Sequence, residues 1–116
     1  EAARLAGAAP PDARVRFVGH WGFQHYMERR GFAHVDLARP DVRPGDLVAI
    51  PRMHRVASVP FALPEPRARD VHAVARRVPL AVMDGESGAG LHGSFLGPLP
   101  FAFTRAPLEV VEVWAW

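Results

Sequence analysis

The spacing of apolar residues changes abruptly near the start of the chain. Residues 14–18 combine β-branched and aromatic side chains, which suits a packed β-strand. After Gly19 the apolar residues recur at three- and four-residue spacing, which predicts an amphipathic helix over residues 20–30. Gly31 follows at the position where helices commonly end in a left-handed residue. The inward-facing residues of this helix are predicted to be Phe23, Tyr26 and Met27.

Further along the chain the pattern predicts several short strands. They cover residues 32–37, 47–50, 80–83, 101–103 and 108–116. Residues 47–50 are wholly apolar, which is typical of a strand buried on both faces. Residues 71–78 fit both helical spacing and a β-branched strand, and we favour the strand.

The remaining segments are predicted to be irregular or terminal. Residues 1–9 have the composition of the last turns of a helix, and residues 52–66 form a proline-rich covering segment. Residues 85–100 form a glycine-rich loop. A strand that turns through a glycine into a helix is the usual opening of an α/β unit. We therefore predict a small α/β fold, a single domain over residues 1–116, with a mixed sheet of about four to six short strands and one main helix packed on it.

Composition and charge exclude some classes of function. All 14 basic residues are arginine, yet the net charge is only +2, because acidic residues lie beside many of the arginines. Proteins that bind nucleic acid usually concentrate basic charge on one face, so a nucleic-acid partner is not expected. The chain has no cysteine, which excludes disulfide bonds and thiolate metal ligands.

No targeting or membrane-spanning segment is expected in the chain. The longest uncharged run, residues 87–104, is interrupted by four glycines and two prolines and is unsuited to a membrane helix. The chain is therefore expected to be soluble. Its first residue is glutamate rather than methionine, from which we expect a processed product or a piece of a longer protein.

Two patterns that often signal a cofactor do not do so here. Residues 88–93 match GxGxxG, but Gly97, Pro98 and Pro100 leave no room for the helix whose N-terminus would hold a pyrophosphate. The six histidines lie at positions 20, 25, 34, 54, 72 and 92, and no pair has metal-ligand spacing on one helix face. We predict no cofactor and no metal site.

Catalytic patterns are also weak. No serine lies in a GxSxG sequence, and Asp84 and Glu86 are expected to be turn residues. The aromatic side chains are expected in the core, except Trp21. It starts the predicted helix beside His20 and Gln24, where the end of a strand and a helix N-terminus often form a ligand crevice.

Strings over residues 19–31, 44–51, 97–103 and 108–114 occur in this order, beginning with the sequence GHWGFQHYMERRG. In these strings the chain resembles the soluble C-terminal region of bacterial multi-pass membrane glycosyltransferases similar to glycosyltransferase family 39, the protein-mannosyltransferase-like group of the GT-C class. The resemblance spans nearly the whole chain, and the first string is its most specific part. Residues 91–96 depart from it, since more tyrosine or tryptophan would be expected there.

The resemblance implies a parent enzyme that transfers a sugar from a polyprenyl-phosphate donor at the periplasmic face of the bacterial inner membrane. Its catalytic acid would lie in the membrane part, so no catalytic residue is assigned here. The implied partners are the membrane part of the same chain and a lipid-linked sugar or acceptor. The resemblance also favours a strand over residues 71–78.

Three hypotheses follow. The leading one is an extracytoplasmic accessory domain, itself non-catalytic, of a membrane glycosyltransferase. Its functional surface would be the helix start, with His20, Trp21 and Gln24, and the loop over residues 85–100, with His92 and Ser94. The second is a free-standing α/β ligand-binding or protein-interaction module. The third is a small soluble hydrolase that uses Ser94 and His92.

Overall fold

The computed structural model describes residues 8–19, 21–52, 63–84, 87–90 and 97–116, with Trp21 described by its backbone alone. Within these residues lie seven strands and a helix packed on them. In chain order they are β1 (Arg14–Phe17), α1 (Trp21–Glu28), β2 (Ala33–His34), β3 (Asp46–Pro51), β4 (Ala68–Val74), β5 (Leu80–Ala81), β6 (Ala102–Phe103) and β7 (Glu109–Ala115).

Five of the strands form one mixed sheet in the order β2-β1-β3-β7-β4. Strand β1 runs parallel to β2 and β3, whereas β7 is antiparallel to both β3 and β4. The register places Phe17 beside Ala49, and Ala49 beside Val113, across the centre of the sheet. Strands β5 and β6 form a separate antiparallel pair, which we call the ribbon. The predicted small α/β fold, a mixed sheet with one main helix, is confirmed.

The two faces of the five-stranded sheet are covered differently. On the face under α1, Phe17 and Met27 are fully buried and pack with Ala49 and Val111. The opposite face buries the alternate residues of the same strands together with residues from loops. This second cluster consists of Val18, Val35, Val48, Ile50, Leu63 and Trp114, with Leu37, Val42 and Trp116 packed against it. Since successive side chains of a strand point to opposite faces, β3 contributes to both clusters, as its apolar run predicts.

Helix α1 ends in a motif that its sequence predicts. Gly31 has a φ of 77°, its N–H donates to the carbonyl of Glu28 at 2.8 Å, and the Phe32 N–H donates to the carbonyl of Met27 at 3.2 Å. This pair of bonds is the Schellman arrangement, which satisfies carbonyls that the last helical turn leaves unpaired. The regular helix stops at Glu28, two residues before the predicted end.

The prediction that Tyr26 of α1 lies in the core is wrong. Met27 is fully buried and Phe23 packs against the same cluster, but Tyr26 is 65% exposed. An eight-residue helix packed on a sheet buries a narrow stripe of its surface, and Phe23 and Met27, four positions apart, fill that stripe. Tyr26 lies one position to the side, with its ring against His25.

Several predicted strands have different bounds in the structure, and β5 covers only Leu80–Ala81 of the predicted residues 80–83. Strand β2 covers only two of the six predicted residues, because Asp36 starts a turn in which its carboxylate accepts the Ala38 N–H at 2.9 Å. The segment 71–78 is a strand, as favoured, but its ladder begins at Ala68 and ends at Val74. Its regular pairing with β7 sets these limits.

The predicted segments 1–9 and 52–66 are only partly described. Ala8 is helical, and residues 1–7 lie outside the described residues, as do residues 53–62. Leu63, just after the second gap, is buried in the cluster opposite α1. No helix in the described part of the chain is long and apolar enough to cross a membrane.

Candidate functional site

The carboxyl ends of the parallel strands β1 and β3 meet beside the start of α1. Gly19, between β1 and α1, has a φ of 137°, and a Cβ placed there would lie 3.1 Å from the side chains of Phe23 and Pro51. Only glycine avoids both the backbone strain and this contact. In open α/β sheets ligands bind outside the carboxyl ends of neighbouring strands, at the point where the connections of the two strands run to opposite sides of the sheet. The predicted helix-start site therefore lies at the edge of the sheet that suits a ligand.

His34 supports this turn from the neighbouring strand β2. Its Nε2 lies 3.2 Å from the carbonyl oxygen of Gly19. Its ring meets the ring of Phe17 edge-on, with 5.1 Å between the centroids. The imidazole therefore joins a buried aromatic side chain to the backbone of the turn, which is a structural role.

Of the predicted residues at this turn, Gln24 is the one whose side chain is described. Its amide donates to the Glu28 carboxylate one helical turn further on, at 2.8 Å. Trp21 is placed by its backbone at the first position of α1, and His20 lies outside the described residues. The structure thus places Trp21 and Gln24 on the same short helix.

The other predicted site lies in the loop over residues 85–100, and both His92 and Ser94 fall outside the described residues. The described residues that flank them are held side by side. Gly90 donates to the Leu99 carbonyl at 2.8 Å, and Leu99 donates to the Gly88 carbonyl at 3.0 Å. A Cβ at Gly97 would lie 2.3 Å from the Gly88 carbonyl oxygen, so the two segments touch through their backbones.

A buried ion pair anchors the base of this loop. Arg76 and Asp84 have side chains only 10% and 2% exposed, with 3.4 Å between Nη2 and Oδ2. The same guanidinium donates to the carbonyls of Ala106 and Leu80 at 3.2 and 3.1 Å. Asp84 also exchanges two backbone hydrogen bonds with Ala89. These contacts join the ribbon to the loop and leave both charges compensated.

Sequence reasoning missed a group on the sheet face opposite α1. Glu112 is 7% exposed, and its Oε2 accepts the indole N–H of Trp114 at 2.7 Å. Its Oε1 pairs with Arg52, and the Arg69 guanidinium lies 4.5 Å from the centre of the Trp114 ring. Glu112, Trp114 and Trp116 share one face by the two-residue strand period, a signal that could have found the group. Both carboxylate oxygens are occupied, so the group stabilises the sheet.

A second polar cluster lies at the amino ends of β1 and β3. Arg14 donates to both carboxylate oxygens of Asp46, at 2.8 and 2.5 Å, and the Arg43 N–H adds a third bond at 2.9 Å. These hydrogen bonds, that of Arg14 first, lower the pKa of Asp46 below its ordinary value. Asp41 accepts a hydrogen bond from the Arg43 side chain, which lowers the pKa of Asp41 in the same way.

Buried Arg16 completes this cluster. Its guanidinium donates to the carbonyls of Asp41 and of His34, the latter at 3.1 Å, while its Nε has no partner in the described structure. Arg14 and Arg16 lie on the same sheet face as Asp46. Arg14 of β1 pairs directly with Asp46 of β3. The cluster lies at the end of the sheet opposite to Gly19 and links β1 to β3 through side-chain hydrogen bonds.

The described residues offer no assembled reaction centre. Among them, no group of three or more histidine, aspartate or glutamate side chains could hold a metal ion. The Ser87 hydroxyl lies 3.4 Å from the Asp84 carbonyl, and the Thr104 hydroxyl accepts the Ala106 N–H at 3.0 Å. Both hydroxyls serve local turns.

Comparison of the chain with models of protein families, with curated proteins and with solved structures found no match. The candidate functional site is accordingly defined by the residues themselves: the turn and helix start at Gly19, Trp21 and Gln24, and the loop that contains His92 and Ser94.

Proposed function

We propose that the domain is an extracytoplasmic accessory domain of a membrane glycosyltransferase that uses a polyprenyl-phosphate-linked sugar, and that it is not catalytic by itself. In this proposal the membrane part of the same chain carries out the transfer. The domain covers that active site or helps to admit the acceptor, at the periplasmic face of the bacterial inner membrane.

The observation that carries the proposal is the resemblance of the four strings, together with where they lie. Residues 19–31 supply the turn and α1, residues 44–51 supply β3, and residues 108–114 supply most of β7. Strand β3 pairs with β7 along its length, and Gly19 approaches Pro51. Three of the four strings therefore make up one continuous frame, whereas residues 97–103 supply β6 of the ribbon. The adjacency of the three strings supports a shared fold more strongly than any string alone.

The positions proposed to face the acceptor are the helix start and the loop over residues 85–100. The helix start, with His20, Trp21 and Gln24, follows the carboxyl end of β1. The loop with His92 and Ser94 starts from the fixed contact between Gly88 and Gly97. Both positions combine a rigid support with polar or aromatic side chains, which is how binding residues are commonly presented.

The first experiment is to determine the intact mass of the native gene product and its partition between membrane and soluble fractions. The proposal expects a chain several times longer than 116 residues that needs detergent for extraction. A soluble product of about this size would refute it.

The second experiment measures sugar transfer by the native product after deletion of the domain, and after Trp21→Ala or His92→Ala. Deletion should abolish transfer or reduce it strongly, and each substitution should raise the KM for the acceptor by about tenfold. Arg29→Ala, at an exposed position directly after α1, is the matched control and should leave transfer unchanged. Full transfer after deletion, or transfer by the isolated domain, would contradict the proposal.

A free-standing ligand-binding or interaction module is the second candidate. The parallel pair β1 and β3, with α1 starting at its carboxyl edge, favours it because such edges bind small ligands in many α/β proteins. This candidate predicts saturable binding of a soluble small molecule that raises the melting temperature and is lost in Trp21→Ala. Binding that survives this substitution would place the ligand elsewhere.

A further inference from the structure

The ribbon has an apolar face that the rest of the described structure leaves open. Phe103 is 79% exposed and Met83 72%, and Val82, Phe101 and Leu80 are also exposed. Their apolar neighbour Ala81 is buried, so the other face of the ribbon is the one that packs on the protein. Contiguous apolar patches of this kind on a small protein usually mark an interaction surface.

The register shows that three of these side chains, Leu80, Phe101 and Phe103, form one surface. Leu80 pairs with Phe103, and paired residues of neighbouring strands point to the same face. Phe101 lies two positions before Phe103 and so points the same way, and the two rings meet edge-on with 6.1 Å between centroids. Ala81 pairs with Ala102 on the opposite face.

The ribbon is also held firmly at its base. Arg76 donates to the carbonyls of Leu80 and Ala106 and pairs with buried Asp84. The Thr104 N–H donates to the Pro79 carbonyl at 3.2 Å. The apolar face is therefore presented in a fixed orientation, which reduces the entropy lost when it meets another surface.

Charge at the ribbon indicates what that other surface is. Among the described residues 76–84 and 97–108, the exposed charged side chains are Arg77 and Arg105, and both are cationic. The antiparallel register places the residues before β5 beside those after β6, so both arginines lie at one end of the ribbon. Met83 and Phe101 lie toward the other end.

An apolar face with arginines at one end matches a lipid bilayer whose headgroups are anionic. Apolar side chains enter the boundary between headgroups and acyl chains, while arginines remain at the phosphates. A protein partner would instead favour an interface core rimmed by mixed polar groups. We propose that the ribbon inserts Leu80, Phe101 and Phe103 into the surface of an anionic bilayer, with Arg77 and Arg105 at the headgroups.

The test is co-sedimentation of the 116-residue chain with vesicles of phosphatidylcholine alone or mixed with phosphatidylglycerol. Binding should require phosphatidylglycerol and weaken as salt is raised. The double variant Phe101→Ser/Phe103→Ser should lose at least about tenfold in binding, and Arg77→Ser/Arg105→Ser should lose more than about fivefold. Tyr26→Ser is the matched control, because it removes an exposed aromatic ring from α1, and its binding should be unchanged.

Circular dichroism and thermal melting check that each variant remains folded. Absence of binding to anionic vesicles would overturn the proposal, as would an equal loss in Tyr26→Ser. Equal binding to neutral vesicles would overturn the role of the arginines. Self-association through the ribbon, seen by sedimentation without vesicle binding, would assign the surface to a second copy and also overturn the proposal. Vesicle binding needs no sugar donor, so this result is independent of the glycosyltransferase proposal.

Discussion

The five-stranded sheet and the ribbon are built from similar apolar strands, yet their surroundings differ. In the sheet, Phe17 and Met27 are fully buried under α1, and Trp114 is buried on the opposite face. In the ribbon, Ala81 is buried while Phe103, on the other face, is largely exposed. Apolar alternation therefore does not by itself determine burial, because burial also requires a second layer to cover the face.

The difference also concerns what holds each region together. The sheet is stabilised by apolar packing on both faces, whereas two short strands alone are marginal in water. The ribbon depends on its base, where Arg76 and Asp84 form a buried ion pair and join it to the loop. We therefore expect the two regions to respond to different substitutions.

The largest effect is expected from Phe17→Ala, which leaves a cavity under α1. The free energy of unfolding should fall by about 3–5 kcal/mol, as measured by urea denaturation. Phe103→Ala is the matched control in the ribbon, and its effect should stay below about 0.5 kcal/mol because the ring is exposed. Similar losses for the two variants would show that the ribbon face is buried in solution.

The next effect concerns the base of the ribbon. Asp84→Ala leaves the Arg76 guanidinium buried without its carboxylate, which should cost about 3 kcal/mol. Hydrogen exchange should show faster exchange at the Ala89 and Gly90 amides, with the centre of the sheet less affected.

Glu65→Ala is the control for this ion pair, since it breaks the exposed pair with Arg69 and should cost less than about 0.5 kcal/mol. If Asp84→Ala were no worse than Glu65→Ala, the buried pair would have no role in holding the ribbon.

An intermediate effect is expected at the contact that closes the loop. Gly97→Ala would bring a Cβ within 2.3 Å of the Gly88 carbonyl at a φ of 135°, so we expect a loss of about 2 kcal/mol. Gly45→Ala is the control in the turn before β3, where φ is 92° and no described atom lies within 4 Å of an added Cβ, and it should cost about 1 kcal/mol. Thermal melting of the two variants measures the loss of stability in each. Equal losses would mean that the positive φ alone causes the loss and that the contact with Gly88 adds nothing.

The smallest of these effects is the acid sensitivity of the sheet. The pKa of Asp46 is lower in the folded state than its ordinary value of 3.8, because Arg14 and the Arg43 N–H bind the carboxylate. The stability from this group is therefore fully present above that value and is lost as the pH falls through the folded pKa. Asp46→Asn should be about 1–2 kcal/mol less stable at pH 7 and nearly equal to the parent at low pH.

Urea denaturation from pH 7 down to pH 2 measures this dependence. Asp41→Asn is the control and should have a smaller effect, because its side chain is 54% exposed. Parallel pH profiles for the parent and Asp46→Asn would contradict the assignment.

Part of the candidate site follows from local sequence. The change of period at Gly19 predicts the strand, the tight turn and the helix that starts at Trp21, and all three are present. The interpretation of Phe101 and Phe103 as core residues is wrong, and so is that of Tyr26, because all three rings are exposed and no described element forms a second layer over them. His20, His92 and Ser94 lie outside the described residues, and their assignment as binding residues stays a prediction.

The sequence by itself determined the elements whose signals are local: the turn at Gly19, the end of α1 at Gly31 and the apolar strand β3. Only the tertiary structure decided which faces are covered and which distant segments pair. Strand β3 pairs with β7 across about sixty residues, and that pairing buries Glu112 beside Trp114. Local spacing specifies the direction of a side chain, but its burial depends on neighbours that only the folded chain brings together.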